Sequence, residues 1–196
     1  MLTANLIRFQ KATYLLHADF SRCLNQHDTR NRQHAIQMIV VRLQDTWCQF
    51  VRRLIVLSAS GCAKSGSGVI VSSAHGFTNE AQVEIWLGKN LGSRDADWHV
   101  SQQSISWAKK LKVSNYGNVA SALGSTNSPE TEMRIYRNFI VHRNRHTAGK
   151  VKSHPTIGSI PVTEIHTIPE EYSLGGKRVF EDWIDRFLLV AKVASS

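Results

Sequence analysis

The sequence predicts an all-α fold: a helical bundle around one long central helix, with an irregular, proline-containing segment before a C-terminal helix. Three observations predict it. From about Arg30 to Ser58 there is no proline or glycine, and Ile36, Ile39, Val40, Leu43, Trp47, Phe50, Val51, Leu54 and Leu57 form a stripe at three- and four-residue spacings. Similar spacings recur near both ends of the chain. Ser128-Pro129-Glu130-Thr131-Glu132 carries a cap residue, a first-turn proline and two acids suited to the positive end of a helix dipole.

In chain order, residues 2 to 25 form the first helix, with Leu6, Phe9, Leu16, Phe20 and Leu24 recurring on one side. His27-Asp28 breaks it, and Asp28 can cap the long helix that follows. The polar side of that helix carries Arg42, Asp45, Gln49, Arg52 and Arg53, a solvated face that could line a groove beside another helix. Gly61 to Gly68 is a loop by composition; it lacks the order of a phosphate loop. Val69-Ile70-Val71 suits one short strand or a buried connection. Glu80 to Leu91 is a short helix, 92 to 97 a break, and Trp98 to Val113 a helix with Ile105 and Leu111 inward. Asn115 to Leu123 is a further short helix ended by Gly124. The helix begun at Ser128 should run to about Thr147, before Gly149. Residues 150 to 176 hold Pro155, Pro161 and Pro169 and should be extended or irregular. A last helix occupies about 177 to 194, with Val179, Trp183, Phe187 and Val190 on one face. We read residues 1 to 196 as a single domain.

The bulk numbers narrow the function. The chain is 42% hydrophobic and 20% charged, a composition that folds. Its net charge of +9 points to a phosphate-rich partner. Cys23, Cys48 and Cys62 are odd in number and widely spaced, which argues against a disulfide scaffold and a zinc site. No metal or other cofactor is expected. Met1 to Asn5 does not open a signal peptide, and the most apolar stretch, Met38 to Ala59, carries Arg42, Asp45, Arg52 and Arg53, so no membrane partner is expected and a cytoplasmic location is.

Chemistry concentrates at Arg137-Asn138-Phe139-Ile140-Val141-His142, followed by Arg143-Asn144-Arg145-His146. Arginine holds phosphate and histidine moves protons near neutral pH. On a helix turning about 100° per residue, Arg137 and His142 lie roughly 140° apart. Arg137, Val141, Arg145, Asn138 and His142 then share one arc, and Ile135, Tyr136, Phe139 and Ile140 face the other way, with Arg143 and His146 intruding. The spacing R-x-x-x-x-H occurs three times, at Arg22–His27, Arg94–His99 and Arg137–His142. With 14 arginines and 9 histidines in 196 positions, chance gives about 0.6. Context separates them: the first runs off a helix end, the second crosses a loop, and the third sits inside a capped helix with further cations following.

Arg137-Asn138-x-x-x-His142 resembles the signature of HEPN-domain ribonucleases, with Arg134-Ile135-Tyr136 and Arg143-Asn144 similar to prokaryotic members. The long helix with Trp47, Phe50, Arg53 and Leu54, leading into Ser58-Ala59, has the same character, and the likeness extends over about residues 5 to 150. The resemblance implies a HEPN-like bundle and a homodimer whose two motif helices face each other. It implies RNA cleavage without a metal, through the ribose 2′-hydroxyl, leaving a cyclic phosphate. It also implies a toxin or phage-defence effector, with a possible antitoxin or larger defence assembly as partner. Carried over, Arg137 stabilises the scissile phosphate, His142 transfers a proton or orients the phosphate, and Asn138 positions one of them. Arg134, Arg143, Arg145 and His146 are the added candidates for RNA contact. The alternative is a catalytically silent helical module that binds RNA or a protein.

Overall fold

The computed structural model describes residues 2–91, 98–126, 128–162, 164–173 and 175–196. The expected break at 92–97 lies outside these residues, and Arg94 of the second arginine–histidine pair with it. The fold is all-α. Its helices are α1 (Leu2–Leu24), α2 (Thr29–Ala59), α3 (Glu80–Leu91), α4 (Ser101–Lys110), α5 (Tyr116–Leu123), α6 (Glu130–His142), α7 (Arg145–Ser153) and α8 (Val179–Ala194). Short 3-10 helices occupy Ile157–Ser159 and Ile165–Glu170. The one two-stranded ladder among the described residues pairs Ala63–Lys64 antiparallel with Ile70–Val71. The central helix α2 is 31 residues long, and Asp28 caps it by accepting the Asn31 amide at 3.1 Å.

Contacts gather into two compact units, with α1, α2 and α8 each contributing to both. The first contains Met1–Gln10, Trp47–Ser128 and Leu188–Ser196. Its core stacks Phe9 on Phe50, ring centroids 4.8 Å apart, with Trp47 beside them. Asn5 is buried and donates to the Phe50 carbonyl at 3.1 Å, which ties α1 to α2. Asn115, ahead of α5, donates to the Ser58 hydroxyl at 3.1 Å. Arg52 pairs with Glu84 at 2.7 Å and Arg53 with Glu80 at 3.7 Å. Both arginines of that polar side are thus engaged by carboxylates of α3. Helix α4 is shorter than the expected 98–113. Trp98 is buried ahead of it, Ser104 and Ala108 are its buried positions, and Ile105 is only half-buried. Leu111 is buried as expected, and Lys112 at φ 50° ends the segment.

The second unit contains Lys11–Thr46 and Pro129–Phe187. Phe20 packs on Phe180 at 4.5 Å, and Tyr136 on Trp183 at 5.8 Å. The rotation of α6 is fixed by one buried acid. The Glu132 carboxylate accepts from the Trp183 indole at 2.9 Å and from both terminal nitrogens of Arg186, at 2.9 and 2.6 Å. A bidentate guanidinium on a buried carboxylate satisfies charge and lone pairs together.

Three expectations for residues 128–176 need correction. Ser128 does not cap α6: its hydroxyl makes no hydrogen bond among the described residues, and Pro129 occupies the cap position, its carbonyl accepting from Met133 at 3.0 Å. Second, α6 stops at His142 instead of running to Thr147. Arg143 turns left-handed at φ 41°, ψ 44°, and Asn144 and Thr147 form a reciprocal capping box that starts α7. Third, the described residues of 150–176 are more regular than their prolines suggest. Helix α7 reaches Ser153, and Ile157 and Ile168 are buried. Gly158 lies so close to the end of α7 that a Cβ there would sit 2.3 Å from the Lys152 carbonyl oxygen.

Replacing Glu132 with alanine leaves the Trp183 indole and most of the Arg186 fork without a buried acceptor. Urea unfolding should show a loss of about 3 kcal/mol. A loss below about 1 kcal/mol would mean that apolar packing alone orients α6.

Candidate functional site

Helix α6 turns Glu132, Met133 and Tyr136 inward, and that choice places the motif. With those positions buried, Arg137, Asn138, Val141 and His142 fall on the outward arc at about 100° per residue. Arg137 and Asn138 are half-buried, Val141 is 52% exposed, and His142 is exposed. Among the described residues, the side chains of Arg137, Asn138 and His142 make no hydrogen bond or ion pair, whereas most other charged groups of this unit do. Arg22 and Arg42 share Asp19, Arg32 pairs with Glu170 at 3.1 Å, and His17 pairs with Glu181 at 3.3 Å.

The remaining candidates divide. Arg134 is held by Glu130 one turn back, Nε to Oε1 at 3.3 Å. Arg143 leaves the helix face altogether. Its backbone caps α6, its Nε donates to the Ile140 carbonyl at 3.2 Å, and its Nη2 donates to Gln37 of α2 at 2.7 Å. Arg145 and His146 begin α7 rather than extending α6, so they do not share the arc. Both are exposed without a side-chain partner among the described residues, at a helix end where the dipole disfavours positive charge. The structure thus brings Arg137, Asn138 and His142 onto one face and sends Arg143 elsewhere.

Arg143 goes into a cleft of about 780 Å³, walled by Arg30, His34 and Gln37 of α2, by Phe139 of α6 and by His166. Neither Arg137 nor His142 lines it. Sequence reasoning missed Arg30, His34 and His166. The spacing of Arg30 and His34, one turn apart on α2, was a visible signal; the approach of His166 from 132 residues further along was not. The far wall is pinned from below. The buried Tyr136 hydroxyl donates to the His166 carbonyl at 2.8 Å, and burial raises its phenol above the usual range. Burial also raises the Glu170 carboxyl, against the opposing pull of Arg32 and Arg178. The His166 ring pairs with Glu164 at 2.7 Å.

Among the described residues no group of three or more His, Cys, Asp or Glu side chains could hold a metal ion. Nor is any described helix long and apolar enough to cross a membrane. Comparison with family models, curated proteins and solved structures finds no match.

Tyr136→Phe removes the hydroxyl that ties α6 to the Ile165–Glu170 turn. Stability should fall by about 1 kcal/mol, with faster amide exchange confined to that turn. Unchanged exchange would show that Ile168 holds the wall without it.

Proposed function

We propose that the chain is a metal-independent endoribonuclease that acts as a homodimer, each copy contributing Arg137, Asn138 and His142 to a shared cleft. The observation that carries this reading is the outward arc of α6. An arginine, an amide and a histidine stand there without partners among the described residues, around an exposed valine, in a unit where most other charges are paired. A helix face left so has something to meet. The R-N-x-x-x-H order resembles the HEPN ribonuclease signature, which supports two such faces meeting around RNA.

The chemistry follows from the residue types. Cleavage needs a proton taken from the ribose 2′-hydroxyl, attack of that oxygen on phosphorus, and departure of the 5′-oxygen with a proton. The products are a 2′,3′-cyclic phosphate and a 5′-hydroxyl. An imidazole can take or give the proton. A guanidinium fork matches the charge that grows on the non-bridging oxygens. Asn138 lies next to Arg137 and orients the phosphate or the ring. With two copies, two arginines gather the backbone and two histidines supply acid and base. Such an enzyme suits a toxin or phage-defence effector in the cytoplasm, restrained by an antitoxin or a larger assembly.

A second reading, a silent helical module that binds RNA or a protein, is favoured by one observation. Within a single chain the arginine and the histidine lie roughly 140° apart on the helix. One copy alone does not bring them to one phosphate.

Incubation with single-stranded RNA in excess EDTA separates the two. The wild-type chain should cut and leave cyclic phosphate ends. Arg137→Ala and His142→Ala, with unchanged circular dichroism, should each cut at least about 100-fold more slowly. Absence of cleavage by the wild-type chain, with RNA still bound, would establish the silent module instead.

A further inference from the structure

We propose that the cleft between the start of α2, the end of α6 and His166 is a subsite for a nucleotide of single-stranded RNA, separate from the arc that carries Arg137 and His142. It rests on the RNA reading above but not on cleavage. The cations come first. Arg30 and His34 sit one turn apart on α2, both exposed, and neither side chain has a partner among the described residues. Arg143 faces them already fixed. Its left-handed backbone and its bonds to Ile140 and to the buried Gln37, 6% exposed, set the guanidinium in place. Those bonds use two of its five N–H groups and leave Nη1 free for a phosphate oxygen.

The acid in the cleft is largely spoken for. Asp28 accepts the Asn31 amide at 3.1 Å and the Asn31 side chain at 2.8 Å. Two arginines stand against that one aspartate. The wall between them is apolar: Phe139 and Ile140 offer a surface on which a base can lie. At about 780 Å³ the cleft falls within the size range of ligand sites.

Why a strand rather than a free nucleotide follows from exposure and from position. A small-molecule site encloses its ligand, burying about 70–90% of it. Here Arg30 and His34 stand open to solvent, as they would to a chain passing over them. Arg143 is also the residue after His142. A strand that reached both places would run past the end of α6, where His142 gives way to Arg143. Arg30 and His34 are therefore RNA-positioning residues, and the length of strand engaged exceeds the scissile step.

The test measures binding apart from cutting. In full-length His142→Ala, fluorescence anisotropy follows a short labelled single-stranded RNA across a salt series, with adenosine 5′-monophosphate and inorganic phosphate as competitors. Adding Arg30→Ala and His34→Ala together should weaken binding about tenfold. The slope of log affinity against log salt should become shallower by about 0.7 for each lost phosphate contact. Arg30→Gln with His34→Gln repeats the measurement with bulk retained. The monophosphate and inorganic phosphate should displace the RNA only weakly. Unchanged affinity and slope in both double variants would overturn the subsite. So would displacement by the monophosphate as effective as that by unlabelled RNA, which would mark a free-nucleotide site, and so would an absence of RNA binding altogether. RNA bound through Arg30 and His34 by a chain that does not cut would uphold the subsite and remove the nuclease reading alone.

Discussion

The placement of the candidate site residues in the second unit depends on the Glu132 carboxylate. Apolar packing of Met133 and Tyr136 already favours one side of the helix, but small adjustments of rotation leave such contacts serviceable. A buried carboxylate does not allow them. Its lone pairs must stay on the Trp183 indole and the Arg186 fork, at 2.6 to 2.9 Å, or the charge is stranded. That requirement fixes which side of α6 is inward. The outward side then follows at about 100° per residue: Arg137, Asn138, Val141 and His142. Tyr136, one turn after Glu132 on the buried side, carries the same constraint to the His166 carbonyl and so to the wall of the cleft.

The second constraint is the end of α6. Arg143 adopts a left-handed conformation that costs a residue with a Cβ roughly 1 kcal/mol. The Asn144–Thr147 capping box and the Arg143–Gln37 bond offset that cost. The result divides five basic side chains between three places. Arg137 and His142 stay on the helix, Arg143 turns into the cleft, and Arg145 and His146 open α7. One basic cluster in the sequence becomes a candidate reactive face and a candidate binding cleft.

What could be read in advance follows from how local the causes are. α1, α2 and α8 are legible because each carries a continuous apolar stripe over its length. The end of α6 is not, because Arg143 to His146 continue a plausible helix with favourable charge at its C-terminus. The opposing signal, Asn144 three residues before Thr147, is short, and only the contact with Gln37 decides between them. The regular structure within 150–176 is hidden in the sequence because prolines are local signals and packing is not. Ile157 and Ile168 are buried, and Gly158 allows a backbone approach that no other residue permits. Arg137, Asn138 and His142 could be picked out because they lie within six residues on one helix. The cleft of Arg30, His34, Arg143 and His166 could not, because tertiary structure assembles it.

The proposed composite site requires the arc of α6 carrying Arg137 and His142 to meet its own copy. Val141 lies within that arc and is 52% exposed. A disulfide forms only when two Cα atoms come within about 7 Å, so a cysteine at this position reports the meeting directly. In a chain with the exposed Cys62 replaced by serine, Val141→Cys should yield a covalent dimer under mild oxidation, and reduction should reverse it. An Asn138→Cys chain, on the same arc, should do the same. If both remain monomeric under oxidant while their thiols stay accessible to alkylation, the two helices do not face each other and the composite site does not exist.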